Sequence, residues 1–120
     1  MSDHEYYKGV ERIKQTIYSE IDKDIVVASE HDVEGAKKHL QPLIDKLRRL
    51  EVVQKKEMKL EPEIAAIIRD EIRLEEHLIA LIIAFIKETQ EDKQEKLLDQ
   101  MLQVLASLQE LSKKEATIIK

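Results

Sequence analysis

Apolar residues recur along this chain at helical spacing, in four stretches separated by short polar breaks. In the first stretch Tyr6, Val10, Ile13, Ile17, Ile21, Ile25 and Ala28 follow one another by three or four residues, as one face of a helix requires. Ser2-Asp3-His4-Glu5 ahead of it has the form of a capping box. A polar break at Ser29-Glu30-His31-Asp32 offers Ser29 or Asp32 as the cap of a second helix. The second stripe is Val33, Ala36, Leu40, Leu43, Leu47 and Leu50, with Met58 further on. Pro42 lies within it, and the unbroken phase on both sides predicts a kink rather than an end.

Leu60-Glu61-Pro62-Glu63 marks the sharpest boundary, because proline suits the first turn of a following helix. The third stripe is Ile64, Ile68, Ile72, Glu75, Ile79, Ile82 and Ile86, flanked by Ile67, Leu78 and Phe85. From Lys87 to Lys96 every residue is polar, and Thr89-Gln90-Glu91-Asp92 could open a fourth helix as a second capping box. A single helix from Pro62 to Ile118 would be about 85 Å long, so a hairpin is expected instead. The fourth stripe is Leu97, Met101, Val104, Leu108 and Leu111, with Leu98, Leu102 and Leu105 beside it. Four long amphipathic helices on short connections predict an all-α, up-down four-helix bundle, with residues 1–120 as a single domain.

Composition agrees with that reading. With two Gly, two Pro and no Asn or Cys in 120 residues, turn chemistry is too scarce for a multi-hairpin sheet. The absence of Cys excludes disulfides and thiolate metal sites and fits a reducing, cytoplasmic setting. The high Lys and Glu content resembles that of thermophile proteins. The longest apolar run, Leu78 to Ile86, is too short to cross a bilayer, and no secretory signal is read at the N-terminus. At a net charge of -5, general affinity for nucleic acid is not expected.

Two features suggest self-association, as a homodimer or a subunit of a larger complex. The third helix is apolar beyond the width of one seam, and Val52 and Val53 project opposite the second stripe. Ile79, Ile82, Ile86, Leu98 and Leu105 are the expected interface. The principal reading is therefore a non-enzymatic helical interaction or assembly protein.

The candidate chemistry is sparse. Glu71 and Glu75 fall on the apolar face of the third helix at i, i+4 spacing, where two carboxylates could share a divalent metal. A metal-binding bundle or metal-dependent enzyme is thus the alternative reading. Lys14 is the neighbour that could neutralise them instead. No cofactor is expected otherwise. No histidine stands three residues after a Glu, so the helical Glu-x-x-His motif of di-iron bundles is absent. No phosphate-binding glycine loop and no nucleophilic triad is present; Ser2, Ser29 and Ser112 sit where capping explains them.

Residues 31 to 60 carry eight basic and five acidic groups in an otherwise acidic chain. Lys38, Arg49 and Lys56 share one helix line, with Lys37, Arg48, Lys55 and Lys59 nearby. This strip could bind anions or RNA, or could be a solvated face matched to acidic neighbours. Tyr6, Tyr7 and Tyr18 lie on the first helix, and the last two face the same way, as core-edge residues would.

Overall fold

The computed structural model describes residues 3–119, and in it the four stripes form four helices. They are α1 (Asp3–Ser29), α2 (Val33–Leu60), α3 (Ala65–Lys87) and α4 (Glu91–Ile118). Each packs beside its neighbour in sequence, and α4 closes the ring on α1. The backbones of α1 and α3 do not approach closely, nor do those of α2 and α4, so these pairs are the diagonals. The molecule measures 46 × 21 × 19 Å, close to the length of one 28-residue helix at 1.5 Å per residue. This is the up-down four-helix bundle that the periodicity predicts. Ser2, the expected first cap, lies outside the described residues.

The turns are built from side chains as much as from backbone. At the end of α1, Asp32 N donates to Val27 O at 3.2 Å and His31 N to Ala28 O at 3.1 Å. This is a Schellman motif, with His31 in the left-handed position at φ 74° where glycine is usual. Asp32, not Ser29, then caps α2: its Oδ1 accepts from Gly35 N at 3.0 Å. The Ser29 hydroxyl instead donates back to Ile25 O. A Cβ at Gly35 would collide with the Asp32 carboxylate in its capping position. The α2 helix continues through the exposed Pro42 without a break.

Pro62 opens a 3-10 turn, Pro62–Ile64, that leads into α3. The α3–α4 connection is the expected hairpin, only three residues long, but its capping differs from the sequence pattern. Gln90 is the N-cap of α4 and makes no side-chain cap bond, so the box at Thr89 does not form. The Glu88 carboxylate takes the Thr89 and Gln90 N–H groups instead, at 3.0 and 3.2 Å. The Glu88 carbonyl accepts from Lys37 Nζ and Gln94 Nε2, both at 2.8 Å, which ties this turn to α2 and α4.

The core has two parts. A main apolar cluster draws on all four helices and includes Ile21, Leu47, Leu78, Ile82, Phe85, Met101 and Leu108. A small cluster of Tyr7, Ile64 and Ile68, with Met58, Ile67, Ile72 and Ile119 against it, fills the end at the α2–α3 turn. Each helix also buries polar side chains: Lys14 on α1, Gln54 and Glu57 on α2, Glu71 and Glu75 on α3, and Ser112 and Glu115 on α4.

Candidate functional site: a buried carboxylate centre and an open α1–α2 groove

The polar layer begins with Lys14. The stripe through Ile13 predicts that Lys14 sits beside the core, but the structure exchanges the two. Lys14 is fully buried, while Ile13 is 43% exposed. Helical spacing admits either residue on the inward face, and the carboxylates opposite decide it. Lys14 Nζ donates to Glu71 Oε2 at 2.8 Å and to Glu115 Oε2 at 3.2 Å, and pairs with Glu11 one turn earlier. One ammonium thus joins α1, α3 and α4.

One turn along, Tyr18 Oη donates to Glu75 Oε2 at 2.7 Å, and Gln54 Nε2 of α2 donates to the same oxygen at 3.0 Å. Glu57 completes the layer from α2. Both of its oxygens are buried without a hydrogen-bond partner among the described residues. Oε1 of Glu71, of Glu75 and of Glu115 is in the same position.

So many buried carboxyls around one cation cannot all be charged. Burial pushes Glu57 up to about 8, against the opposing pull of Lys14. Burial likewise raises Glu75 to about 8, although its bonds from Tyr18 and Gln54 favour the anion. Glu115 is pushed up to about 10 by burial and by the neighbouring Glu71 carboxyl. For Lys14 burial works against the charge, but Glu71, Glu115 and Glu11 outweigh it and hold the ammonium above the ordinary lysine range. Chemically, the centre is one buried ammonium among carboxyls, and burial favours the protonated form of Glu57, Glu75 and Glu115.

Glu71 and Glu75 are thus inward and buried, as the spacing predicts, and each accepts a hydrogen bond from a different α1 side chain. Among the described residues no three histidine or carboxylate groups are arranged to hold a metal ion. The pattern read from sequence missed Gln54, Glu57 and Glu115, and it took Ser112 for a cap, whereas Ser112 is buried within α4. A signal for them was present, because they continue the phase of the α2 stripe beyond Leu50 and of the α4 stripe beyond Leu108.

The residues expected at an oligomer interface lie elsewhere than expected. Ile79, Ile82, Leu98 and Leu105 are buried in the bundle's own core, and Ile86 is half-buried against it. The extra apolar width of α3 is used by α2 on one side and α4 on the other. Almost none of these four side chains is left for a second copy.

The open apolar surface is instead between α1 and α2. A groove of about 410 Å³ is lined there by Arg12, Ile13, Thr16 and Ile17 of α1 and Lys46, Arg49, Leu50 and Val53 of α2. Val53 is half-buried, and its carbonyl accepts from Tyr6 Oη at 3.0 Å. Val52 beside it is 67% exposed. The basic strip borders this same seam. Lys38, Arg49 and Lys56 are all exposed, and Lys38 lines a second depression of the seam with Pro42 and His39. Lys56 places its ammonium 5.2 Å from the Tyr6 ring centre. Tyr7 and Tyr18 are buried, deeper than core-edge positions.

No helix among the described residues is long and apolar enough to cross a membrane. No family model, curated protein or solved structure matches the chain.

Proposed function

We propose that the protein is a non-enzymatic helical interaction protein that docks a protein partner along its α1–α2 face. The open groove carries this reading. Val26, Leu102 and Ile118 are exposed as well, at 49%, 41% and 47%, but Leu102 sits among the polar Ser19, Asp22 and Gln109. In the groove Ile13 and Val53 stand at the mouth of a cleft floored by Ile17 and Leu50. An exposed apolar cleft rimmed by polar side chains is the usual form of a recognition surface. The buried centre supports the same view. Its charged groups face one another inside a closed bundle, so it serves the scaffold rather than a substrate.

A photoreactive residue at Ile13, compared with one at the exposed Lys113, tests the reading in native cells. A discrete cross-linked product at Ile13 and none at Lys113 is expected. No product at Ile13, or equal products at both, would remove the proposed docking face.

A further inference from the structure

We infer that the α1–α2 groove takes an acidic amphipathic helix from a different chain, and this rests on the docking reading above. Charge specifies the partner. Arg12 and Arg49 flank the apolar floor, and neither forms an ion pair among the described residues. Lys46, the third cation of the rim, is shared only with Glu20 at 3.2 Å. No acidic side chain lines the groove. Two unpaired guanidinium groups beside an apolar floor match carboxylates beside apolar side chains, since arginine binds a carboxylate through two parallel hydrogen bonds.

Size sets the form of the segment. From Lys46 to Val53 the groove follows α2 for about 10 Å, two helical turns. Apolar side chains at i, i+3 or i+4, and i+7 cover that length. The row of Lys38, Arg49 and Lys56 would extend the match along the partner's acidic flank.

A second copy of the chain fits less well. A two-fold contact through this face would set the basic rim of Arg12, Lys46 and Arg49 against the same basic rim of the other copy. Seating another face of a second copy in the groove would be a head-to-tail contact, which closes only if its rotation completes a ring.

Two fluorescein-labelled 15-residue peptides provide the test by anisotropy. Both carry leucines at i, i+3 and i+7; one has glutamates at the flanking positions and the other lysines. The glutamate peptide is expected to bind at least tenfold tighter and to weaken several-fold between 50 and 300 mM salt. Arg12→Gln with Arg49→Gln should weaken it at least fivefold, and Ile13→Ser by a similar factor. These residues are exposed, so circular dichroism should show folded variants. Equal affinity for the two peptides, or binding of neither, would overturn the inference. So would tighter binding of a single-stranded RNA 20-mer to the same arginines, or self-association abolished by Ile13→Ser. A cross-link at Ile13 without preference for the acidic peptide would leave the docking face standing and remove the acidic partner.

Discussion

Lys14 of α1 sets its ammonium 2.8 Å from Glu71 Oε2 of α3, on the diagonal of the bundle where the two backbones do not approach. Tyr18 reaches Glu75 four residues further along both helices. The common offset is what parallel helices produce, so the two rungs also fix the register of α1 on α3. A methionine at position 14 keeps much of the volume and removes the charge. It leaves Glu71 and Glu115 buried without their cation. Lys14→Met should therefore lose about 3–5 kcal/mol at pH 8, the usual cost of breaking a buried pair. Urea unfolding of the two proteins measures the difference.

The wild-type protein should itself be more stable in mild acid. In the unfolded chain Glu57, Glu75 and Glu115 titrate near 4.5, whereas in the bundle they are raised to about 8, 8 and 10. Above pH 4.5 the unfolded state has given up protons that the folded state still holds. Stability then falls as pH rises, through about 8 for the first two groups and about 10 for the third. The raised Lys14 acts in the same sense, since its contribution is also lost as pH rises, but only in strong alkali. The Tm should be higher at pH 5.5 than at pH 8.5. Glu57→Gln, which stays neutral, should flatten that slope. A Tm that rises from pH 5.5 to 8.5 would contradict the assignment.

The α1–α2 turn reverses two expectations from residue preference. Glycine is a poor helix former, so Gly35→Ala should gain about 1 kcal/mol on propensity alone. The new methyl would instead displace the Asp32 carboxylate from its cap, which is worth about 1 kcal/mol, and add steric conflict. A net loss is expected. His31→Gly should stabilise by about 0.5–1 kcal/mol, because glycine occupies the left-handed position without strain. Thermal unfolding of the two single variants separates these effects.

Much of the architecture was legible because each helix repeats its apolar residues at 3.6-residue spacing and Pro62 and Asp32 stand at real helix starts. The polar layer was only half legible. Glu71 and Glu75 stood out because they interrupt an apolar run. Glu57 and Glu115 did not, because near a helix end a charged residue in phase with the core resembles a solvated one. The exchange of Ile13 and Lys14 has the same origin. Transfer from water ranks isoleucine inside and lysine outside, and only the carboxylates of α3 and α4 reverse that order. The α1–α2 groove was hidden for a related reason: a stripe gives the direction of a side chain, not whether a neighbouring helix covers it.

Ile82 and Val52 together decide where any partner contact can lie. Ile82 is 0% exposed within one chain, between α2 and α4 neighbours in the main cluster. A carboxylate there would have no partner in an apolar site. Ile82→Asp should therefore cost more than 4 kcal/mol and unfold the protein at every concentration. A subunit interface through Ile82 would behave differently. The variant would then stay helical and lose only mass, as judged by light scattering beside circular dichroism. Val52 is 67% exposed, so Val52→Asp should change stability by no more than about 0.5 kcal/mol. If partner binding weakens in Val52→Asp while folding is unchanged, the recognition surface extends from the groove across the outer side of α2. If binding is unchanged, it is confined to the cleft between Ile13 and Val53.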